Sequence, residues 1–129
     1  MTIELTMLAL AAALGLVQIA LAAQACTRQV GLLWAVGPRD EPRPPVGSIA
    51  GRMERAVGNF LETFPLFAAA VLVAHAAGQH DWMTMWGAQL YFWGRVAYLP
   101  LYIFGVAFVR TLAWTVATLG IVLILLSLL

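Results

Sequence analysis

Hydrophobic residues come in four long runs separated by short polar breaks. The first extends from Leu5 to Cys26. It is longer than the apolar core of a secretory signal and lacks a basic start, its first charge being Glu4, so it reads as a retained transmembrane helix. The second run, 56–77, contains Pro65, and the third, 82–109, contains Arg95 and Pro100. The fourth covers 111–129. A single proline inside a membrane helix is tolerated because neighbouring helices re-satisfy the freed carbonyl. Between the first two runs lies GPRDEPRPPVGSIAG, residues 37–51, which holds four of the six prolines. No helix persists through that density of proline. Gly78-Gln-His-Asp81 forms a tight turn between the second and third runs. The pattern predicts an all-α integral membrane protein, one domain over 1–129 built as a four-transmembrane-helix bundle.

Composition supports the membrane class. The chain is 63% hydrophobic and 10% charged, with a mean hydropathy of +0.90. Soluble domains are about a quarter charged, and a chain of this size folded in water buries only about 70% of its unfolded surface. A net charge of +1 gives no reason to expect a nucleic-acid partner. Every basic residue is an arginine, and Arg28, Arg39, Arg43, Arg52 and Arg55 lie in or beside the first loop, with Arg110 at the third. The positive-inside rule then places both arginine-bearing loops in the cytoplasm and both termini outside. Trp34, Trp82, Trp86 and Trp114 fall near predicted span ends, as an aromatic belt would. Cys26 is a packing residue on this reading, and His75 and His80 have only Asp81 near them as a third ligand, so no metal site is predicted.

The polar residues inside the runs are harder to accommodate. In RMERAVGNFLETFPLF, Arg52, Arg55, Asn59 and Glu62 share one helix face. Glu62 lies about 15 Å deeper than Arg52 at 1.5 Å per residue. A carboxylate facing lipid at that depth costs on the order of 2.5 kcal/mol or more, so it should face inward. In YFWGRVAYLPLY, Arg95, Tyr98 and Tyr102 make a matching face on the third helix. The simplest expectation is an ion pair between Glu62 and Arg95. Packing alone has little use for this many arginines, an asparagine and tyrosines at one end of a bundle. A pocket for a polar anion does: arginine grips carboxylates in bidentate fashion, asparagine fixes an amide, and tyrosine hydroxyls are directional donors.

These residues carry a family resemblance. Arg55-AVG-Asn59-FL-Glu62-T-FPLF resembles the signature of the MAPEG family, membrane-associated proteins in eicosanoid and glutathione metabolism. Arg95-VA-Tyr98-LPL-Tyr102, followed by Arg110-TLAW, is similar to the family's third-helix motif and fourth-helix arginine. The resemblance, of the bacterial type, implies a homotrimer of four-helix subunits in a bacterial inner membrane, with glutathione in cytoplasm-facing clefts between subunits. It implies Arg55, Asn59, Glu62, Arg95, Tyr98 and Tyr102 as glutathione ligands, joined by Arg52. Arg110 would sit beside the sulfur as the catalytic residue, and Thr111 takes the place where some members have serine. Thr63 departs from the family, several of whose enzymes have an aromatic residue there; one contact to glutathione would be missing or replaced.

Three functions fit this sequence. The first is a glutathione-dependent transferase or peroxidase acting on lipophilic electrophiles or hydroperoxides, the substrate arriving laterally from the membrane lipids. The second is a noncatalytic lipid-binding or scaffold member of the same fold. The third is a small multidrug transporter; that class needs a carboxylate in its first helix, and the first span of this chain has none.

Overall fold

A computed structural model describes residues 1–129 as helices joined by short connections, with no strand. The elements are α1 (Ile3–Val30), α2 (Leu32–Val36), α3 (Ser48–Ala76), α4 (Trp82–Ile103) and α5 (Ala107–Ser127). The four long helices form an antiparallel bundle in which α1 packs on α3 and α4, α4 on α5, and α3 on α4. One end of the bundle carries the N-terminus and the α3–α4 turn. The other carries the α1–α3 loop and the α4–α5 turn, and six of the seven arginines lie at or near it.

Local chemistry sets the ends. The Thr2 side chain accepts the Leu5 N–H at 3.2 Å and caps α1. Asp81 and Thr84 form a reciprocal capping box at the start of α4. Gly78 and Gly105, with φ of 70° and 74°, end α3 and α4 in the left-handed conformation that glycine adopts without penalty. The helices overrun the apolar runs that predict them. α3 begins eight residues before position 56, so Arg52 and Arg55 stand on helix. α4 stops at Ile103, short of 109, because the Gly105 turn interrupts an otherwise apolar stretch. α5 then starts at Ala107, which puts Arg110 inside its first turns.

The core contains Met7 and Ala11 of α1, Phe67, Ala70, Val71 and Ala74 of α3, Ala88, Tyr91 and Phe92 of α4, and Ala117, Ile121 and Ile124 of α5. Outside it, Leu16, Leu66, Leu72, Leu119 and Leu126 are exposed, as a lipid-facing surface requires. α1, α3 and α5 are each long and apolar enough to cross a membrane. α4 is long enough but more polar, with Gln89, Arg95 and three tyrosines, and its polar face is covered by the other helices.

α4 and α5 meet backbone to backbone. A Cβ added to Gly120 would come within 2.4 Å of the Gly87 carbonyl oxygen and 2.8 Å of the Tyr91 nitrogen. Further along the same contact, a Cβ on Gly94 would meet Ala117 at 2.9 Å. Small residues at helix contacts are how membrane helices gain dispersion energy where lipid removes the hydrophobic driving force. Gly120→Ala is therefore expected to lower the thermal transition in detergent, by the roughly 1–3 kcal/mol of an overpacked contact. Gly58→Ala, at a site where nothing lies within 4 Å, is expected to leave it unchanged or raise it slightly. Parallel thermal scans of the variants check both.

Candidate functional site

At the arginine-rich end, Arg52 and Arg55 of α3, Arg95 of α4 and Arg110 of α5 converge on the C-terminal half of α4 and its tyrosines. The Arg55 Nε donates to the Tyr102 hydroxyl at 3.3 Å. Arg110 lies over the same ring, 4.7 Å from its centroid, and the Tyr98 and Tyr102 rings are 5.5 Å apart. Asn59, Tyr98, Tyr102, Arg110, Thr111 and Trp114 line one cavity of about 260 Å³. A larger hollow of about 760 Å³ lies under α2 and the following loop, around the contact of Arg39 with the Trp34 ring. It touches none of these residues, and its walls are mostly loop.

Arg95 is the most deeply placed of the group, only 2% exposed. Its Nη1 donates to the Asn59 side-chain oxygen at 2.8 Å. Its guanidinium lies 4.2 Å from the centroid of Tyr98 and 5.5 Å from that of Phe60. Ring faces stabilise a cation, by about 2 kcal/mol or more once desolvated. They do not satisfy its hydrogens, and Nε and Nη2 are buried with no partner.

The expected Glu62–Arg95 ion pair is absent. The only arginine–carboxylate pair is Arg43 with Glu54, at 2.8 Å, and the one other carboxylate contact of this kind is Glu4 with the His80 ring. The reason is helical register. The buried line of α3 runs through Ala56, Phe60, Thr63, Phe67 and Ala70, so Glu62, one residue before Thr63, is turned about 100° from it. Glu62 therefore lies exposed on the outside of the protomer rather than facing inward, with no bond to Arg95. Asn59 takes its place as the partner of Arg95.

The remaining predicted residues take different places. Arg52 points to the α4–α5 turn, where its Nη1 donates to the Ile103 carbonyl at 3.3 Å, and it does not line the cavity. Thr111 lines the cavity while its hydroxyl donates back to the Ala107 carbonyl. Thr63 turns into the core, within 3.0 Å of the Tyr91 hydroxyl, so the position that would hold an aromatic ligand residue is used in this chain to satisfy a buried tyrosine. Sequence reasoning missed Phe60 and Trp114. Trp114 lies one helical turn after Arg110, and that spacing could have revealed it. Phe60 had no signal beyond its place beside Asn59. Cys26 does more than pack: its thiol donates to the Glu54 carboxylate at 3.2 Å, and Arg43 holds that carboxylate from the loop. With the Gln29 side chain accepting the Gly47 N–H, these contacts fasten the proline-rich loop to the bundle.

This geometry defines a class: a four-helix integral membrane protein with a cationic, tyrosine-lined cleft at one end and no acidic counter-ion bonded to it. The chain matches the MAPEG family model over residues 5–129, essentially its whole length, and belongs to that family. Neither the curated proteins nor the solved structures show a match.

Removing Asn59 leaves the buried guanidinium without a hydrogen-bond acceptor. Asn59→Leu is expected to cost about 2–3 kcal/mol, the range for a lost bond to a charged group. Glu62→Gln is expected to stay within about 0.5 kcal/mol, as surface changes do. Thermal scans of ligand-free protein compare the two; an equal or larger loss for Glu62→Gln would restore the ion pair as the organising contact.

Proposed function

We propose that the protein is a glutathione-dependent membrane enzyme of the transferase or peroxidase type, acting on lipophilic electrophiles or hydroperoxides. The observation that carries this reading is the convergence of Arg55, Arg95 and Arg110 with no carboxylate bonded to any of them. So much unneutralised positive charge at the end of an apolar bundle favours a ligand that brings its own carboxylates. Glutathione has carboxylates at both ends, amides that Asn59 and the tyrosines can bond, and a thiol. Family membership points to the same cosubstrate.

On this reading Arg95, buried and bonded to Asn59, holds that amide and adds its charge, while Arg55 binds a carboxylate of the ligand. Tyr98, Tyr102 and Asn59 fix its orientation, and Arg110, with Thr111 beside it, stabilises the thiolate. A thiol ordinarily ionises near pH 8.5, and an adjacent guanidinium favours the charged form. The thiolate then attacks an electrophilic carbon and displaces its leaving group. With a hydroperoxide it attacks the terminal oxygen, releasing the alcohol, and a second glutathione reduces the resulting sulfenic acid to disulfide and water. The exposed side of Arg55 and Glu62 is the side on which a second copy of the chain would close the cleft, in keeping with a homotrimer. The arginine-rich end would face the cytoplasm, where glutathione is abundant, while the lipid substrate enters from the bilayer.

Glutathione is expected to raise the thermal transition of the purified protein, and Arg55→Ala or Arg95→Ala to abolish that rise. Binding without turnover of a generic electrophile or hydroperoxide would identify a noncatalytic family member. Arg110→Gln is expected to lower turnover at pH 7 by about tenfold or more, each unit of lost thiol acidification being a factor of ten. The sign comes from charge: the guanidinium favours thiolate, so without it the rising limb of the pH–rate profile moves to higher pH. Full turnover with an unshifted profile would remove Arg110 from this role.

A further inference from the structure

The α4–α5 turn closes by a Schellman pairing, with Val106 N–H bonded to the Leu101 carbonyl at 2.9 Å and Gly105 N–H to the Tyr102 carbonyl at 3.1 Å. That pattern leaves the Ile103 carbonyl without a backbone donor, at a helix C-terminus where partial negative charge accumulates. Arg52 fills the vacancy from α3, its Nη1 donating to that oxygen at 3.3 Å. Its guanidinium also lies flat against Gly105: a Cβ on that residue would come 3.3 Å from both Cζ and Nη1, at a φ of 74° that L side chains rarely adopt. One side chain thus uses both the open carbonyl and the bare Cα of the turn.

Beyond the turn, the start of α5 is not buried within the protomer. Phe104 to Val109 are all exposed, and the first buried residue of α5 is Ala113. From there on α5 is locked to α4 by the Gly87–Gly120 and Gly94–Ala117 contacts, and the first turns of the helix lie before them. Arg110 sits in those first turns, with its guanidinium over Tyr102 at the cavity. Whatever fixes the turn fixes the height of Arg110.

We propose that Arg52 is a positioning residue: by clamping the α4–α5 turn through the Ile103 carbonyl and Gly105, it sets Arg110 at its working height over the cavity. The consequence for catalysis rests on the glutathione reading above; the clamp itself does not. Arg52 touches the turn rather than the cavity, so its loss should impair thiolate formation and leave affinity for glutathione in place.

The test uses the full chain in lipid nanodiscs with Arg52→Ala, Arg52→Lys and Gly105→Ala. Without ligand, hydrogen exchange of amides 104–112 is expected to rise at least about threefold in Arg52→Ala and Gly105→Ala, as local opening becomes easier, with residues 84–98 unchanged. Arg52→Lys, which keeps a donor for the carbonyl, is expected to restore most of the protection. With glutathione, the dissociation constant of both clamp variants should stay within about twofold of wild type, while turnover at pH 7 falls about tenfold and the rising limb of the pH profile moves up by about one unit. Unchanged exchange across all variants would overturn the clamp. A tenfold loss of glutathione affinity in Arg52→Ala at unchanged turnover would overturn it too, making Arg52 a ligand. If the wild-type protein neither binds nor turns over glutathione, the functional reading falls and exchange alone decides the clamp.

Discussion

A guanidinium buried in an apolar bundle is the constraint around which the rest of this molecule is arranged. Arg95 cannot meet lipid and has no carboxylate bonded to it, so α4 must turn that face inward and be covered. The covering is supplied by all three of the other long helices, each of which packs against α4. It explains the aromatic pair on either side of Arg95 and the place of Asn59 one helix away. These contacts hold the charge in place without neutralising it, and this end of the bundle stays cationic.

The second requirement is that α4 and α5 approach closely enough for Arg110 to reach Tyr102. Gly87, Gly94, Ala117 and Gly120 meet it by removing side chains from the contact. Backbone contact of this kind is rigid deep in the bundle and ends before the first turns of α5. The arginine-rich end is therefore held by polar contacts rather than by packing: Arg52 on the turn, Arg55 on Tyr102, and Arg43 with Cys26 on Glu54. At the opposite end a corresponding tie joins Glu4, 5% exposed, to His80, and links the start of α1 to the α3–α4 turn. A bundle packed by small residues thus relies on side-chain bonds at both ends, where helix ends and connections leave backbone groups open.

The class of fold and most members of the site are legible in the chain before it folds. Four apolar runs, a proline-dense loop and a glycine turn suffice for an antiparallel membrane bundle, because bilayer thickness and backbone hydrogen bonding leave helices few alternatives. Helical spacing likewise puts Arg55, Asn59 and Glu62 on one side of α3, and Arg95, Tyr98 and Tyr102 on one side of α4. Which of those side chains meet is settled by packing between helices. A helix face spans a wide arc, and the rotation of α3 about its axis turns Thr63 inward to Tyr91, gives Asn59 to Arg95 and leaves Glu62 outside. That rotation is set by the packing of Phe60, Phe67, Ala70 and Ala74 against neighbouring helices, long-range contacts with no trace in local spacing. The same holds for Arg52, whose position in the chain marks it as one more arginine of a stripe. Only the fold of the α4–α5 turn, with an open carbonyl at Ile103 and no side chain at Gly105, directs it there instead.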